Sequence, residues 1–301
     1  MLKTARTYLF VLLAMMFWGF SFVWFRQVVI FYEPITIITL RLFISGTILI
    51  SLLFILKKWQ PIEKKDIKWF LALAFTQPFC YFLGESFGLK QVSPTISSAI
   101  IATIPVITPI AAWFFIREKP GLKVWLGIFI SSAGIALMLF NRDLSLNAAP
   151  QGVALLFFAV ISAIAYTIII RKIADKYNAL LIIAMQNIIG GFYFLPLFFT
   201  FDFGHFLVAK PDSSAITALI LLSVFASTFA YYFYIISIRE IGVTKANIFT
   251  NLIPVFTATL SYFVLNEQFT LAKIAGMTLV IAGVVIVQQV HQFQKQKNQN
   301  I

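Results

Sequence analysis

"TISSAIIATIPVITPIAAWFFIREK" (residues 95–119) and "TKANIFTNLIPVFTATLSYFVLNEQ" (residues 244–268) are two versions of one segment. They belong to a gapless match of residues 92–135 with 241–284, at an offset of 149. Its matched pairs include Thr95/Thr244, Pro105/Pro254, Thr108/Thr257, Phe114/Phe263, Glu118/Glu267, Gly127/Gly276 and Gly134/Gly283. An earlier stretch matches at an offset of 145 through Arg26/Arg171, Tyr32/Tyr177 and Gly46/Gly191, and sets Arg41 opposite Gln186. The chain therefore reads as two copies of one unit, residues 1–145 and 146–301.

Neither copy suits water. The sequence is 60% hydrophobic and only 11% charged, against roughly 25% charged in soluble domains. Apolar runs long enough to cross hydrocarbon recur near residues 8–25, 34–56, 69–88, 95–116, 124–140, 151–170, 180–201, 215–238, 244–265 and 271–290. They do not alternate as the strands of a membrane barrel would. The first run lacks a small-residue cleavage site and precedes further spans, so it reads as a helix and not a signal peptide. The predicted fold is an all-α polytopic membrane protein with ten transmembrane helices, five to a copy. The connections are too short to hold a sizeable soluble domain.

The net charge of +12 would suggest nucleic acid in a soluble protein, but here the cations sit in short clusters between apolar runs. With the N-terminus inside, the inner segments carry 17 Lys and Arg and the outer segments 5, with Arg41 inside a span. That bias predicts cytoplasmic termini and an even number of spans. Five is odd, so the second copy enters the membrane upside down. Inverted repeats imply a pseudo-two-fold axis in the membrane plane, a plan common among secondary transporters, whose solute site lies near the midplane where the repeats meet.

"WGFSFVW" in the first span, "EPITIITLRLFISG" in the second, and the doubled blocks beginning "ATIPVITPIAAWFF" and "TNLIPVFTATLSYF" resemble the EamA-like family of drug/metabolite transporters over almost the whole chain. The resemblance implies ten helices with both termini cytoplasmic in a bacterial inner membrane. It further implies export of a small organic solute, such as an amino acid or related metabolite, through a cavity lined by spans 1, 3, 4, 6, 8 and 9. An importer, or an exchanger of solutes such as S-adenosylmethionine or nucleotide sugars, is the alternative within transport.

Polar residues inside the spans mark the candidate site. Arg41 lies about 10 Å deep in span 2, where an unpaired cation costs several kcal/mol. Glu85 in span 3 is its expected partner. Two readings stand side by side. Arg41 holds a solute carboxylate or Glu85 titrates and couples proton movement to transport; or the two form a structural ion pair. Pro105 and Pro254 are expected to break spans 4 and 9, freeing the carbonyls of Ile101 and Thr250. Ser98 precedes the first proline on one helical face, and Asn247 and Asn251 precede the second. Trp18, Ser21, Gln77, Tyr81, Tyr166, Tyr231 and Tyr234 complete the expected cavity, with Gln186 and Asn187 as further polar candidates in span 7. Such aromatic walls suit an aromatic or amphiphilic solute. Each aromatic also has a plain packing role open to it. Gly127/Gly134 and Gly276/Gly283 place small residues on one face of spans 5 and 10 for close helix contact. Glu118 and Glu267 read as caps or fasteners of tight turns.

One cysteine, Cys80, makes no internal disulfide and no cysteine metal site. His205 and His291 stand apart, and no HExxH, GxSxG or P-loop pattern occurs. An integral-membrane enzyme would need convergent acids, bases or metal ligands, so no enzyme, cofactor or metal is expected. The expected partners are a small-molecule substrate, the lipid bilayer and protons; nucleic acid is not among them. The chain is expected to act as a monomer or weak dimer.

Overall fold

The computed structural model describes residues 2–116, 121–140, 148–241, 246 and 249–299. Among them there is no β-strand. Helix α1 spans Leu2–Val28 and α2 Pro34–Ile55. The third span is divided into α3 (Ile67–Ala74) and α4 (Tyr81–Gln91), and the fourth into α5 (Pro94–Ile101) and α6 (Ile104–Ile116). Then come α7 (Leu122–Leu139), α8 (Pro150–Ile170) and α9 (Ala179–Leu197), which continues through a π turn into α10 (Phe203–Val208). The eighth span is divided into α11 (Ser213–Leu221) and α12 (Ala230–Ile241). The ninth enters through a 3-10 turn, Phe249–Leu252, into α13 (Ile253–Leu265), and α14 (Leu271–Gln299) closes the chain. Each of the ten expected spans has its helical counterpart. Seven helices are individually long and apolar enough to cross a membrane, and Pro94–Ile110 and Phe249–Leu265 are shorter apolar helices.

Local chemistry explains the starts. Pro34, Pro94 and Pro150 sit at first helical positions, where a missing N–H costs nothing. Asn178 accepts from the Leu181 amide at 2.8 Å and Asp212 from the Ala215 amide at 2.7 Å, capping α9 and α11. Pro105 and Pro254 each fall in the first turn after an interruption, where the helix has already been reset. Large apolar side chains such as Phe129 (72% exposed) and Phe263 (74% exposed) face outward, which suits lipid and not water.

The two copies meet through contacts that obey a two-fold axis. A Cβ placed on Gly134 would lie 2.5 Å from the Gly276 carbonyl oxygen; one on Gly283 would lie 2.5 Å from that of Gly127. Gly127 is the repeat partner of Gly276, and Gly134 of Gly283. Each glycine thus faces the counterpart of the other, which is the signature of an isologous contact. The seam between α2 and α9 repeats the pattern: Gly46 faces Ile188 and Gly191 faces Phe43, and these four are again matched at the offset of 145. In both seams the residue numbers run in opposite directions, so the paired helices are antiparallel.

A charged cluster ties the two copies outside the spans. Lys176 reaches Asp66 at 2.5 Å and Glu63 at 2.7 Å, and Tyr177 donates to Asp66 at 2.8 Å. The Lys176 ammonium, then the Tyr177 hydroxyl, hold the Asp66 carboxyl below its ordinary range. Lys176, then Lys65, do the same for Glu63, while Asp66 and Glu63 push Lys176 up. A depressed carboxylate stabilises the fold above its unfolded pKa, and that contribution is lost as pH falls through the folded value.

Gly134→Ala should force the α7–α14 seam apart and cost about 1–3 kcal/mol, the usual range for overpacking. Gly204→Ala, where nothing lies within 4 Å, should leave thermal unfolding in detergent unchanged. Asp66→Asn should lower the melting temperature at pH 7, and the gap from wild type should close as the pH falls below the ordinary carboxylate range.

Candidate functional site

Spans 3 and 8 correspond in the two copies, and both are opened at mid-depth by π turns: Phe75–Cys80 in one, Leu222–Phe229 in the other. Gln77 has extended backbone angles (φ −146°, ψ 119°) and precedes a cis Gln77–Pro78 bond. In hydrocarbon, irregular backbone is tolerated only where protein buries it or a cavity meets it. π turns recur at functional sites.

A polar side chain enters each opening from the other copy. Gln186 on α9 donates through Nε2 to the Gln77 carbonyl at 2.6 Å. Arg41 on α2 donates through Nε to the Ser227 hydroxyl at 2.5 Å, and that hydroxyl donates to the Leu222 carbonyl at 3.1 Å. Ser45 accepts from Asn187 at 2.9 Å and donates to the Ser227 carbonyl at 2.8 Å. Spans 2, 7 and 8 are thus stitched together in the interior. Beside this network lies a narrow pocket of about 10 Å³, room for a single water, lined by Gln77, Phe82, Gln186, Asn187, Ser227 and Tyr231, among others.

Arg41 is 5% exposed, with its guanidinium carbon 4.3 Å from the centre of the Phe82 ring. The direct ion pair with Glu85 does not form. No salt bridge joins them among the described residues, and Glu85 instead accepts from Tyr81 at 2.8 Å. The reason is the opened turn of span 8, which offers Ser227 to the guanidinium, while Tyr81 stands one helical turn from Glu85 on α4.

Several expected cavity residues come together here. Trp18 packs edge-on against Tyr231 (centroids 5.1 Å apart) and Tyr234 (5.0 Å). The Tyr166 hydroxyl lies 3.4 Å from Gln186 Oε1, and Tyr231 lines the same pocket as Gln77. Ser21 bonds back to the Trp18 carbonyl at 2.7 Å. Others lie elsewhere. Ser98 is buried and bonds the Thr95 carbonyl of its own helix at 3.0 Å. Asn251 reaches Gln288 of α14 at 3.1 Å, so its amide joins two helices. Asn247 and Glu118 lie outside the described residues. Pro105 and Pro254 flank interrupted helices as the residue types require. Sequence reasoning missed Ser45, Ser227 and the opening of span 3; Pro78 in the middle of that span was the available signal.

An all-helical membrane protein of two inverted copies, with π turns beside an interior polar pocket, has the plan of a secondary transporter. The chain belongs to the EamA-like transporter family, whose model matches residues 5–140 and again 150–288. It is 27% identical over 252 residues to the uncharacterized transporter YetK of Bacillus subtilis (strain 168), covering 82% of this chain and 76% of that one. It is 25% identical over 275 residues to an uncharacterized transporter of Archaeoglobus fulgidus, covering 91% and 96%. A solved crystal structure shares the fold with a TM-score of 0.67 at 14% identity, covering 95% of this chain and 99% of the other. The protein is a multi-pass membrane transporter, with the bilayer as its solvent and a small molecule as its substrate.

Gln186→Leu should leave the Gln77 carbonyl buried and unbonded. It should cost about 1–3 kcal/mol, the penalty for an unsatisfied buried acceptor, read as a lower melting temperature of the purified protein.

Proposed function

We propose that the protein exports a small organic solute, an amino acid or related metabolite of aromatic or amphiphilic character, across the bacterial inner membrane by alternating access. The two copies are taken to divide at residues 145 and 146, with both termini cytoplasmic. The observation that carries this reading is the reciprocal contact of the copies: Gly127 with Gly283, Gly134 with Gly276, and opened turns in both spans 3 and 8. When two inverted units meet on a two-fold axis, exchanging their conformations turns an outward-open state into an inward-open one of similar energy. The broken fourth and ninth spans, entered by Pro105 and Pro254, supply the hinges.

The aromatic wall of Trp18, Tyr231 and Tyr234 matches an aromatic or amphiphilic body. Glu85 is the proton-carrying group in this reading. Arg41 of α2, Tyr81 of its own helix and Tyr231 of α12 are the titratable groups that act on it.

Purified protein in proteoliposomes should exchange radiolabelled amino acids from a panel that includes phenylalanine, tryptophan and leucine. Cells expressing it should tolerate toxic analogues of whichever solutes move. An imposed pH gradient should drive accumulation, and Glu85→Gln should abolish that drive while sparing exchange at equal pH. Failure of every panel member to move in the wild type overturns the export reading. Flux indifferent to the pH gradient removes the proton role and leaves facilitated diffusion.

A further inference from the structure

Arg41 and Gln186 occupy equivalent positions in the two copies, and the structure gives them the same mechanical task. Each reaches from span 2 or span 7 into the opened turn of a span in the opposite copy. Gln186 does it with one neutral amide, bonded to Gln77. Arg41 does it with Nε alone, bonded to Ser227. A neutral donor therefore suffices for the scaffold, and the charge of Arg41 is surplus to it.

That surplus is costly. A cation in the membrane interior costs several kcal/mol unless something neutralises it. Arg41 is 95% buried by its 5% exposure, yet no acid forms a salt bridge with it among the described residues. The Phe82 ring face at 4.3 Å compensates in part. Nη1 and Nη2 make no hydrogen bond to the protein among the described residues, so the guanidinium's two-pronged edge is unspent. Its hydrogen-bond partner Ser227 and the ring it covers, Phe82, both line the interior pocket.

We infer that the terminal nitrogens of Arg41 are the docking point for a carboxylate on the transported solute, so that substrates are organic monoanions or zwitterions. This rests on the transport reading above. The planar guanidinium presents two parallel N–H donors that match the two oxygens of a carboxylate. One fixed cation is balanced by one negative charge. A phosphate dianion would bring a second charge, and the pocket lining holds no further cation to meet it. Phe82, Tyr231 and the Trp18 stack then meet the solute's apolar body.

The test uses matched pairs differing only in the anionic group: L-phenylalanine with L-phenylalaninamide, L-leucine with L-leucinamide, and phenylacetate with phenylacetamide. Binding is read as thermal stabilisation of the purified protein in phosphatidylcholine nanodiscs, whose headgroups carry no net negative charge. At least one carboxylate should stabilise the wild type, and its amide should bind at least about tenfold more weakly, as expected for loss of a charged hydrogen-bonded contact. Arg41→Gln, which copies the residue of the second unit, should fold with a near wild-type melting temperature and lose the preference for carboxylate over amide. Arg41→Lys should retain part of it. Equal binding of acid and amide by the wild type overturns the assignment, as does an absence of carboxylate-dependent stabilisation across the panel. Both readouts need only the wild type, so they decide even if Arg41→Gln misfolds. Proteoliposome flux of an amide or other uncharged solute by the wild type, without carboxylate preference, leaves the transporter reading standing while this assignment falls.

Discussion

Hydrocarbon offers a backbone amide or carbonyl no partner outside the chain, and the interior of this protein is organised by that constraint. Spans 3, 4, 8 and 9 all depart from regular helix at mid-depth, and each departure must be answered from within. The Gln77 carbonyl is met by Gln186, and the loosened turn of span 8 is held by Arg41, Ser45 and Thr228 through Ser227, its carbonyl, and the Ser223 carbonyl. Side chains that answer such breaks cannot face lipid. They gather where the two copies meet, so the requirement to satisfy the backbone also builds the polar interior.

Close approach of the copies makes this possible. Without Cβ atoms at Gly127, Gly134, Gly276 and Gly283, carbonyl oxygens of α7 and α14 pass near the partner backbone. The resulting seam is closely packed and symmetric, each glycine meeting the counterpart of the other. Spans 2 and 7 form the second such seam, and they bear Arg41 and Gln186. Arg41 and Gln186 thus stand on regular helices, opposite the π turns of spans 8 and 3.

The symmetry is broken where chemistry is needed. Arg41 faces Gln186 in the repeat, Ser98 faces Asn247, and Ala102 faces Asn251. These are positions where the two copies differ in charge and hydrogen-bonding capacity. The charged member of the Arg41/Gln186 pair gives the pocket a polarity that the fold alone does not possess. On the surface, the cluster of Asp66, Glu63 and Lys176 ties the copies in water, where ion pairs are weak one at a time but here share Tyr177 as a common partner.

Hydropathy, the Lys and Arg bias, and the doubled block were enough to read ten spans, their inversion and the family, because lipid leaves so few ways to arrange an apolar chain. Prolines announced the breaks in spans 4 and 9 for the same reason: a missing N–H acts locally, whatever surrounds it. The π turn of span 8 contains no proline, and no local pattern betrays it; its Ser227 and Thr228 bond Arg41 and Ser45 of α2, more than 180 residues away. The direct Arg41–Glu85 pair followed from charge and depth, yet Tyr81 takes the carboxylate and Ser227 the guanidinium. Asn251, read as a cavity amide, is held by Gln288. Sequence alone determined which groups must be buried, since burial follows from composition along the chain. Only the tertiary structure decided who satisfies whom, because a hydrogen bond is set by distance and direction between elements that the sequence keeps far apart.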